Sequence, residues 1–447
     1  MKIQVKKLLR KVFLVLTGIC PAFTGLGQQS SPISSIDAIP VDNVFSGLSV
    51  GFDILTTQKY QYVCYYDTSR NMTIAQRKLN SKTWKKTKLP SVVGWDSHNN
   101  VTMVIDRDGF IHVAGNMHAR PLVYFRSAKP EDIDTFEKLP MTGKNEDRVT
   151  YPLFFKDFSG NLFFQYRNGG SGNGITYWNR YDTSTGTWSP AFDKPLFDGE
   201  NEASAYSSDP IAGPDGYFHI VYMWRQTPIA NTNHNLSYIR SKDLVHWENA
   251  KGEPLTLPVQ WRNSTTIADP VDPWNGLINM GFGISWDDQK QLYITYHKFD
   301  RNGVSQAYAA RYENDGWHIY QLSNWPGFTW DLNRGGSING DVRISGVKQY
   351  GPGLLQVNYS HKKYGSGKWI LDQATLRVKD DQKAGQESGP SYKLPDPRTP
   401  QSDMRLHRVT DNTGKFIMQW QTVQPNQDRA PKPPYPAPSD LVVYKIQ

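Results

Sequence analysis

Ten histidines are spread over 447 residues, and three of them crowd one stretch, "DSHNNVTMVIDRDGFIHVAGNMHARPLVYFRS" (96–127): His98, His112 and His118. Imidazole changes protonation near neutral pH and can carry a proton in either direction. Downstream, Tyr166 and Arg167 precede the loop "NGGSGNG" (168–174), Arg180 follows it, and Arg225 ends "DGYFHIVYMWR" (215–225). A guanidinium matches a carboxylate bidentately. A phenol beside arginines can have its pKa lowered enough to serve as acid or base. These residue types suit the binding of an acidic group and the movement of a proton next to it. The glycines let the loop backbone approach something closely. The loop lacks the phosphate-loop pattern and its following Lys, which argues against a nucleotide.

The elements that must position these groups are strands. Along "FIHVAGNMH" alternate side chains share a face, which puts Phe110, His112, Ala114, Asn116 and His118 together. His112 lies three residues after Gly109, and His219 three after Gly216. The recurrence gives His112 a structural reading. His118 ends its strand nine residues after Gly109, and Arg225 stands nine after Gly216. An imidazole and a guanidinium are therefore expected at the same rim.

That strand recurs. "KYQYVCYYD" (59–67), "DGFIHVAGNMH" (108–118), "SGNLFFQYRNG" (159–169), "DGYFHIVYMWR" (215–225), "QKQLYITYHKFD" (289–300), "GPGLLQVNYSHK" (351–362) and "TGKFIMQWQT" (413–422) each pair a turn with a run of strand formers. Most are followed by a second strand and then by a turn running into Trp, as in "TSTGTW" and "SKDLVHW". Several strands in each of seven repeats predict an all-β, single-domain seven-bladed β-propeller over 28–447. The copies are expected to be the innermost strands, with the last strand, "LVVYKIQ" (441–447), closing the ring on the first blade. A sandwich with an added domain is the structural alternative. The 36 Gly and 29 Pro, spread along the chain, suit many short strands and turns.

Residues 1–27 read as a secretory signal: basic "MKIQVKKLLRK", apolar "VFLVLTGICPAF", then "TGLG". The apolar stretch is too short to span a bilayer. Ile19 before Cys20 argues against lipidation. A secreted or periplasmic protein, without a membrane span and acting as a monomer, is expected. Beyond the signal only Cys64 remains. That excludes an internal disulfide and a cysteine-based zinc site, and Cys64 reads as a buried small hydrophobe. The formal charge is +8, but the signal holds five Lys and Arg and no acids. The mature balance is thus about +3, with no basic run, so nucleic-acid binding is not supported and an anionic polysaccharide is compatible.

"DSHN…DGFIHVAGNMHARPLVYFRS", "YRNGGSGNG…NRYD" and "DGYFHIVYMWR…NHNLSYIRSKDLVHW" together resemble the BNR-repeat propeller family of secreted polysaccharide-degrading enzymes. That family includes ulvan lyases, lyases of rhamnose–glucuronate linkages in arabinogalactan, and α-L-rhamnosidases. The resemblance is densest over residues 90 to 250. It implies a site of two histidines about twenty residues apart, a tyrosine and an arginine. The matching positions are His98, His118, Tyr166 and Arg180, with Arg167 as the alternative arginine. Arg225 is a further carboxylate contact, and Asn116 and Trp224 are candidate substrate contacts. The implied reaction is β-elimination on a polymer of rhamnose and uronic acid. An arginine neutralises the carboxylate and stabilises the enolate. Tyr166 or a histidine is the base, and His118 or Tyr166 the acid. No cofactor is needed for that chemistry. Structural zinc or calcium occurs in some relatives; zinc here would need scattered histidines such as His234, His297 and His361, and none is predicted. An α-L-rhamnosidase and a non-catalytic sugar-binding propeller are the competing readings. A hydrolase more usually needs two opposed carboxylates, and Asp106 and Asp108 read as turn formers.

Overall fold

The computed structural model describes residues 36–336, 338–383, 394–395, 403–425 and 429–446. The predicted signal lies outside the described residues. Runs of Val, Ile, Tyr, Phe and Trp punctuated by Asp–Gly turns give strands almost everywhere, and the helical content among the described residues is two single 3₁₀ turns. No described helix is long and apolar enough to cross a membrane.

Among the described residues, seven antiparallel sheets of four or more strands follow one another along the chain, beside one short parallel pair, Phe197–Asp198 with Val259–Gln260. Sheet 1 orders Asp53–Thr56, Tyr60–Tyr66, Asn71–Lys78 and Lys85–Val92. Sheet 2 orders Val101–Ile105, Ile111–Gly115, Tyr124–Ser127 and Phe136–Lys138. Sheet 3 orders Val149–Lys156, Leu162–Asn168, Ile175–Asp182 and Thr187–Pro190. Sheet 4 is built on Ser204–Ser207, Phe218–Arg225 and Asn233–Ser241, with Ile267–Asp269 added to the last of these. Sheet 5 runs from Gly283–Trp286 through Leu292–Phe299, and sheet 6 centres on Leu354–His361. In sheet 7, Arg405–Thr410, Phe416–Thr422 and Ser439–Lys445 are completed by Asp37–Val44.

Two expectations are corrected here. Each recurring strand is the second of its sheet, not the first. It is flanked on both sides and covered on both faces, so Tyr60–Tyr66 and Phe218–Arg225 are buried almost throughout. Dense burial is what made these strands conspicuous in the sequence. The last strand joins the last sheet rather than the first, and it is the N-terminal strand Asp37–Val44 that crosses over to pair with it.

Cores lie between neighbouring sheets. One cluster joins Tyr166 and Phe164 of sheet 3 to Tyr124, Ala114 and Val104 of sheet 2. Another joins Phe163 of sheet 3 to Tyr222 and Trp224 of sheet 4. Alternation along Leu162–Asn168 therefore divides its side chains between two neighbours.

Candidate active site

The site is assembled where sheets 2, 3 and 4 meet at one end of their strands. The loop before sheet 2 carries Asp96 and His98, and His118 follows the second strand of that sheet. The Asp96 carboxylate sits between the two rings: Oδ1 takes His98 Nδ1 (2.9 Å) and the His98 backbone N–H (2.9 Å), and Oδ2 takes His118 Nδ1 (2.5 Å). The ring centroids are 4.2 Å apart. Desolvation works to raise the Asp96 pKa, but the bonds from His118 and His98 outweigh it and hold the carboxyl well below the usual range. An ionised acceptor on both Nδ1 atoms assigns the proton to Nδ1 and directs Nε2 away from it.

Sheet 3 supplies Tyr151, which the sequence reading missed. The register of Val149–Lys156 slips between Thr150 and Leu153, and Tyr151 has φ +57°. Such a bulge re-aims a side chain out of the sheet. The turn after His118 is tied to the same strand, since Ala119 N–H donates to Thr150 Oγ1 (2.7 Å) and Arg120 pairs with Val149. Tyr151 thus comes within 5.8 Å of the His98 ring and 6.4 Å of the His118 ring. Desolvation in the pocket raises its phenol pKa, and Arg167 opposes that. Pro152, interrupting the apolar run "VTYPLFF", was the sequence signal for an irregular strand here.

Arg167, buried at the end of Leu162–Asn168, has its guanidinium 4.8 Å from the centre of the Tyr151 ring. Its Nη1 donates to Tyr206 Oη (3.4 Å), while its buried Nε has no partner. The glycine-rich loop turns out to be shaped around this side chain: a Cβ on Gly174 would fall 2.6 Å from Arg167 Cδ. Tyr206 of sheet 4 also bonds Ser171 Oγ (2.8 Å), and its ring lies 4.0 Å from the Arg225 guanidinium. Desolvation would raise the Tyr206 phenol, but Arg225, Arg167 and Ser171 together lower it. Arg225, also buried, donates from Nε to Asn233 Oδ1 (2.7 Å) and from Nη2 to Asn279 Oδ1 (2.6 Å). Among the described residues neither Arg167 nor Arg225 is paired with a carboxylate. A cavity of about 310 Å³ is walled by His98, Tyr151, Arg167, Tyr206, Asp209 and Asn279.

His118 and Arg225 stand behind this wall, His118 joined to His98 through Asp96 and Arg225 against Tyr206 and Asn279, and the remaining sequence candidates lie away from the cavity. Tyr166 is 1% exposed in the core between sheets 2 and 3; it neighbours Arg167 in sequence and for that reason points to the opposite side. Arg180 is exposed on the third strand, opposite Phe163, at the end of the hairpin away from the loop. Trp224 is a buried core residue against Phe197 and Tyr222. Asn116 uses its side chain locally, accepting from Gly94 N–H (3.0 Å) and donating to Ser91 Oγ and Val92 O (both 2.9 Å), which anchors the loop that carries Asp96.

Larger clefts of about 550 and 600 Å³ lie elsewhere; the first contains the Arg311–Glu313 pair and the second the Lys82–Asp37 pair, and neither is lined by the histidine pair. Asp96, His98 and His118 form a group whose ligand atoms lie within 4.8 Å of one another, whereas His234, His297 and His361 form none among the described residues. A cation held there would take up the Nδ1 and carboxylate oxygen atoms that otherwise hydrogen-bond to one another.

With this geometry in place the comparisons become informative. Residues 60–325, more than half of the chain, match the family described as BNR repeat-containing family member. The chain belongs to the BNR repeat-containing family. Its curated relatives include the long-isoform ulvan lyase of Alteromonas sp. (strain LOR), 29% identical over 159 residues, or 31% of this chain and 15% of that protein. The short-isoform ulvan lyase of the same strain is 26% identical over 156 residues, covering 31% of this chain and 29% of the relative. The match therefore spans less than a third of either relative's length. Two solved structures share the fold. Polysaccharide lyase Uly1 has a TM-score of 0.57 at 16% identity, with 89% of this chain and 90% of that one covered. A PL25 ulvan lyase solved with -[GlcA(1-4)Rha3S]- has a TM-score of 0.56 at 14% identity, with 86% and 93% covered.

Proposed function

We propose that the chain is a polysaccharide lyase that cleaves rhamnose–glucuronate linkages by β-elimination, in ulvan or in an arabinogalactan such as gum arabic. One observation carries this reading. Arg167 and Arg225 are buried without a carboxylate partner beside a histidine pair that Asp96 orients. A buried cation is costly unless something pairs with it, and a uronate would supply the missing anion. The ulvan lyases among the relatives support the substrate class.

In the reaction, Arg167 neutralises the C6 carboxylate and stabilises the enolate formed as the C5 proton leaves. The electron pair from C5–H forms the C4–C5 double bond, and the C4–O4 bond breaks. O4 departs with a proton. The Tyr151 hydroxyl and an imidazole Nε2 exchange these two protons, in the place first assigned to Tyr166. His118 Nε2 has no partner among the described residues and is the open atom of the pair. Arg225 holds Tyr206 and Asn279 as the far wall and adds positive potential.

The seven sheets are read as seven propeller blades, with Asp37–Val44 closing the ring against Ser439–Lys445. Residues 1–27 are read as an export signal, which makes the mature protein a secreted or periplasmic monomer. The decisive experiment incubates the protein with ulvan and with gum arabic and follows the ultraviolet absorbance of the new double bond. Absorbance growth supports the lyase. Rhamnose release without it overturns the lyase in favour of an α-L-rhamnosidase.

A further inference from the structure

Among the described residues only two aromatic side chains sit on left-handed backbone, Tyr151 (φ +57°) and Trp274 (φ +71°). Bulky residues seldom adopt this conformation, and where they do the strain tends to mark ligand sites. Tyr151 belongs to the cavity. Trp274 lies outside it, in "DPWNGLINMG" (272–281), and is 52% exposed.

Surface aromatics elsewhere lean on neighbours: Phe158 stacks on Phe218 (4.1 Å), and Tyr435 packs against Phe45 and Trp95 (both 5.7 Å). The Trp274 indole has no ring, cation or hydrogen-bond partner among the described residues. Its backbone, by contrast, is held firmly. Trp274 N–H donates to Asn231 O (2.7 Å), Gly276 N–H to Asn231 Oδ1 (3.1 Å), Phe299 N–H to Asn275 O (2.8 Å) and His297 Nδ1 to Gly276 O (2.8 Å). Gly276 packs so closely that a Cβ there would fall 2.4 Å from the Phe299 ring, and Leu277 and Ile278 are fully buried. Five residues after Trp274, Asn279 accepts from Arg225 and lines the cavity. A packed loop thus holds a bare indole in solvent, five residues along the chain from Asn279 of the cavity wall.

We propose that Trp274 is a stacking platform for a pyranose ring of the polymer, forming a distal subsite beyond the cavity on the Asn279 side. This rests on the reading of the cavity as a uronate-polymer site. The flat apolar indole matches the C–H face of a sugar ring. Because the loop is already ordered, binding would forfeit little conformational freedom.

The test uses the full chain with Trp274→Ala and Trp274→Phe. In native gels containing ulvan the unmodified protein is expected to be retarded, Trp274→Ala to run nearly free, and Trp274→Phe to fall between. In kinetics, the ratio of kcat/KM on ulvan to kcat/KM on an ulvan tetrasaccharide should fall about three- to tenfold in Trp274→Ala, as expected for the loss of one aromatic contact. Equal retardation of Trp274→Ala and the unmodified protein overturns the proposal, as does an equal loss on polymer and tetrasaccharide, or no retardation at all. A change of sedimentation coefficient on Trp274→Ala also overturns it, because it would mark a contact between copies of the chain. Retardation needs no turnover, so absence of the double-bond product from every uronate polymer would sink the lyase reading alone.

Discussion

Sheet 2 and its preceding loop carry two constellations of the same residue types. His112 pairs through Nδ1 with Tyr124 Oη (2.7 Å) and through Nε2 with Asp106 Oδ2 (3.2 Å), and it is completely buried. His118 pairs through Nδ1 with Asp96, approaches Tyr151, and keeps about a quarter of its side chain accessible. In the first set every polar atom of the ring is spent and burial lowers the imidazole pKa, keeping it neutral. In the second, one ring nitrogen is spent on orientation and the other is left for a reactant. Sheet 4 repeats the first pattern, with His219 held between Tyr238 (2.6 Å) and Asp215 (2.9 Å). A histidine, an aspartate and a tyrosine are thus a structural clamp when closed and a candidate proton relay when one valence is open.

Substitutions should pull the two sets apart. The largest effect is expected for His118→Ala, with kcat/KM on ulvan falling about 10²- to 10⁴-fold, as for loss of a general acid or base. Its melting temperature should barely move. His112→Ala should do the reverse and cost about 2–4 kcal/mol in denaturant unfolding, because Asp106 and Tyr124 lose their partner inside the core. Full lyase activity in His118→Ala would remove it from the mechanism.

Next in size is Arg167→Ala, expected to cost about 10²- to 10³-fold in kcat by removing the enolate stabiliser. Arg180→Ala, on the exposed strand, should leave the rate near that of the unmodified protein. The opposite ranking would restore Arg180 as the carboxylate partner. Tyr151→Phe should lower kcat about 10²-fold at unchanged stability. Tyr166→Phe, which loses a long contact to Lys144 O (3.4 Å) and one to the Asn179 side chain, should cost about 1 kcal/mol in stability and keep its rate.

A separate effect is a pH dependence of stability set by the desolvated histidines. Burial lowers the pKa of His112 and His219, and brings His297, His361 and His407 to about 4. Each has a folded pKa below its unfolded value near 6.5. Between those limits the unfolded chain binds more protons, so stability should fall as pH drops from about 6.5 to about 4. Asp53, raised to about 6 by desolvation, opposes this with one proton. A melting temperature that climbs on acidification through that window would contradict the neutral state of these rings.

The sequence by itself determined the all-β class, the recurring strands and the spacing of His98 and His118. Those features are local: alternation, turn residues and burial of central strands are written into short windows. It also separated His112 from His118, because a residue at the same slot in two repeats serves the repeat. Only the tertiary structure brings Tyr151 and Arg167 to the histidine pair and leaves Tyr166 and Arg180 away from it. A bulge at Tyr151 and the period of two at Tyr166–Arg167 decide which side chain enters the gap between sheets 3 and 4. That choice depends on which sheets lie on either side, a relation between distant segments that no short window contains. The surroundings of the carboxylate-free arginines arise in the same way, from groups far apart in sequence that meet only once the sheets have packed, whereas the Asp96 bridge closes within sheet 2 and its preceding loop.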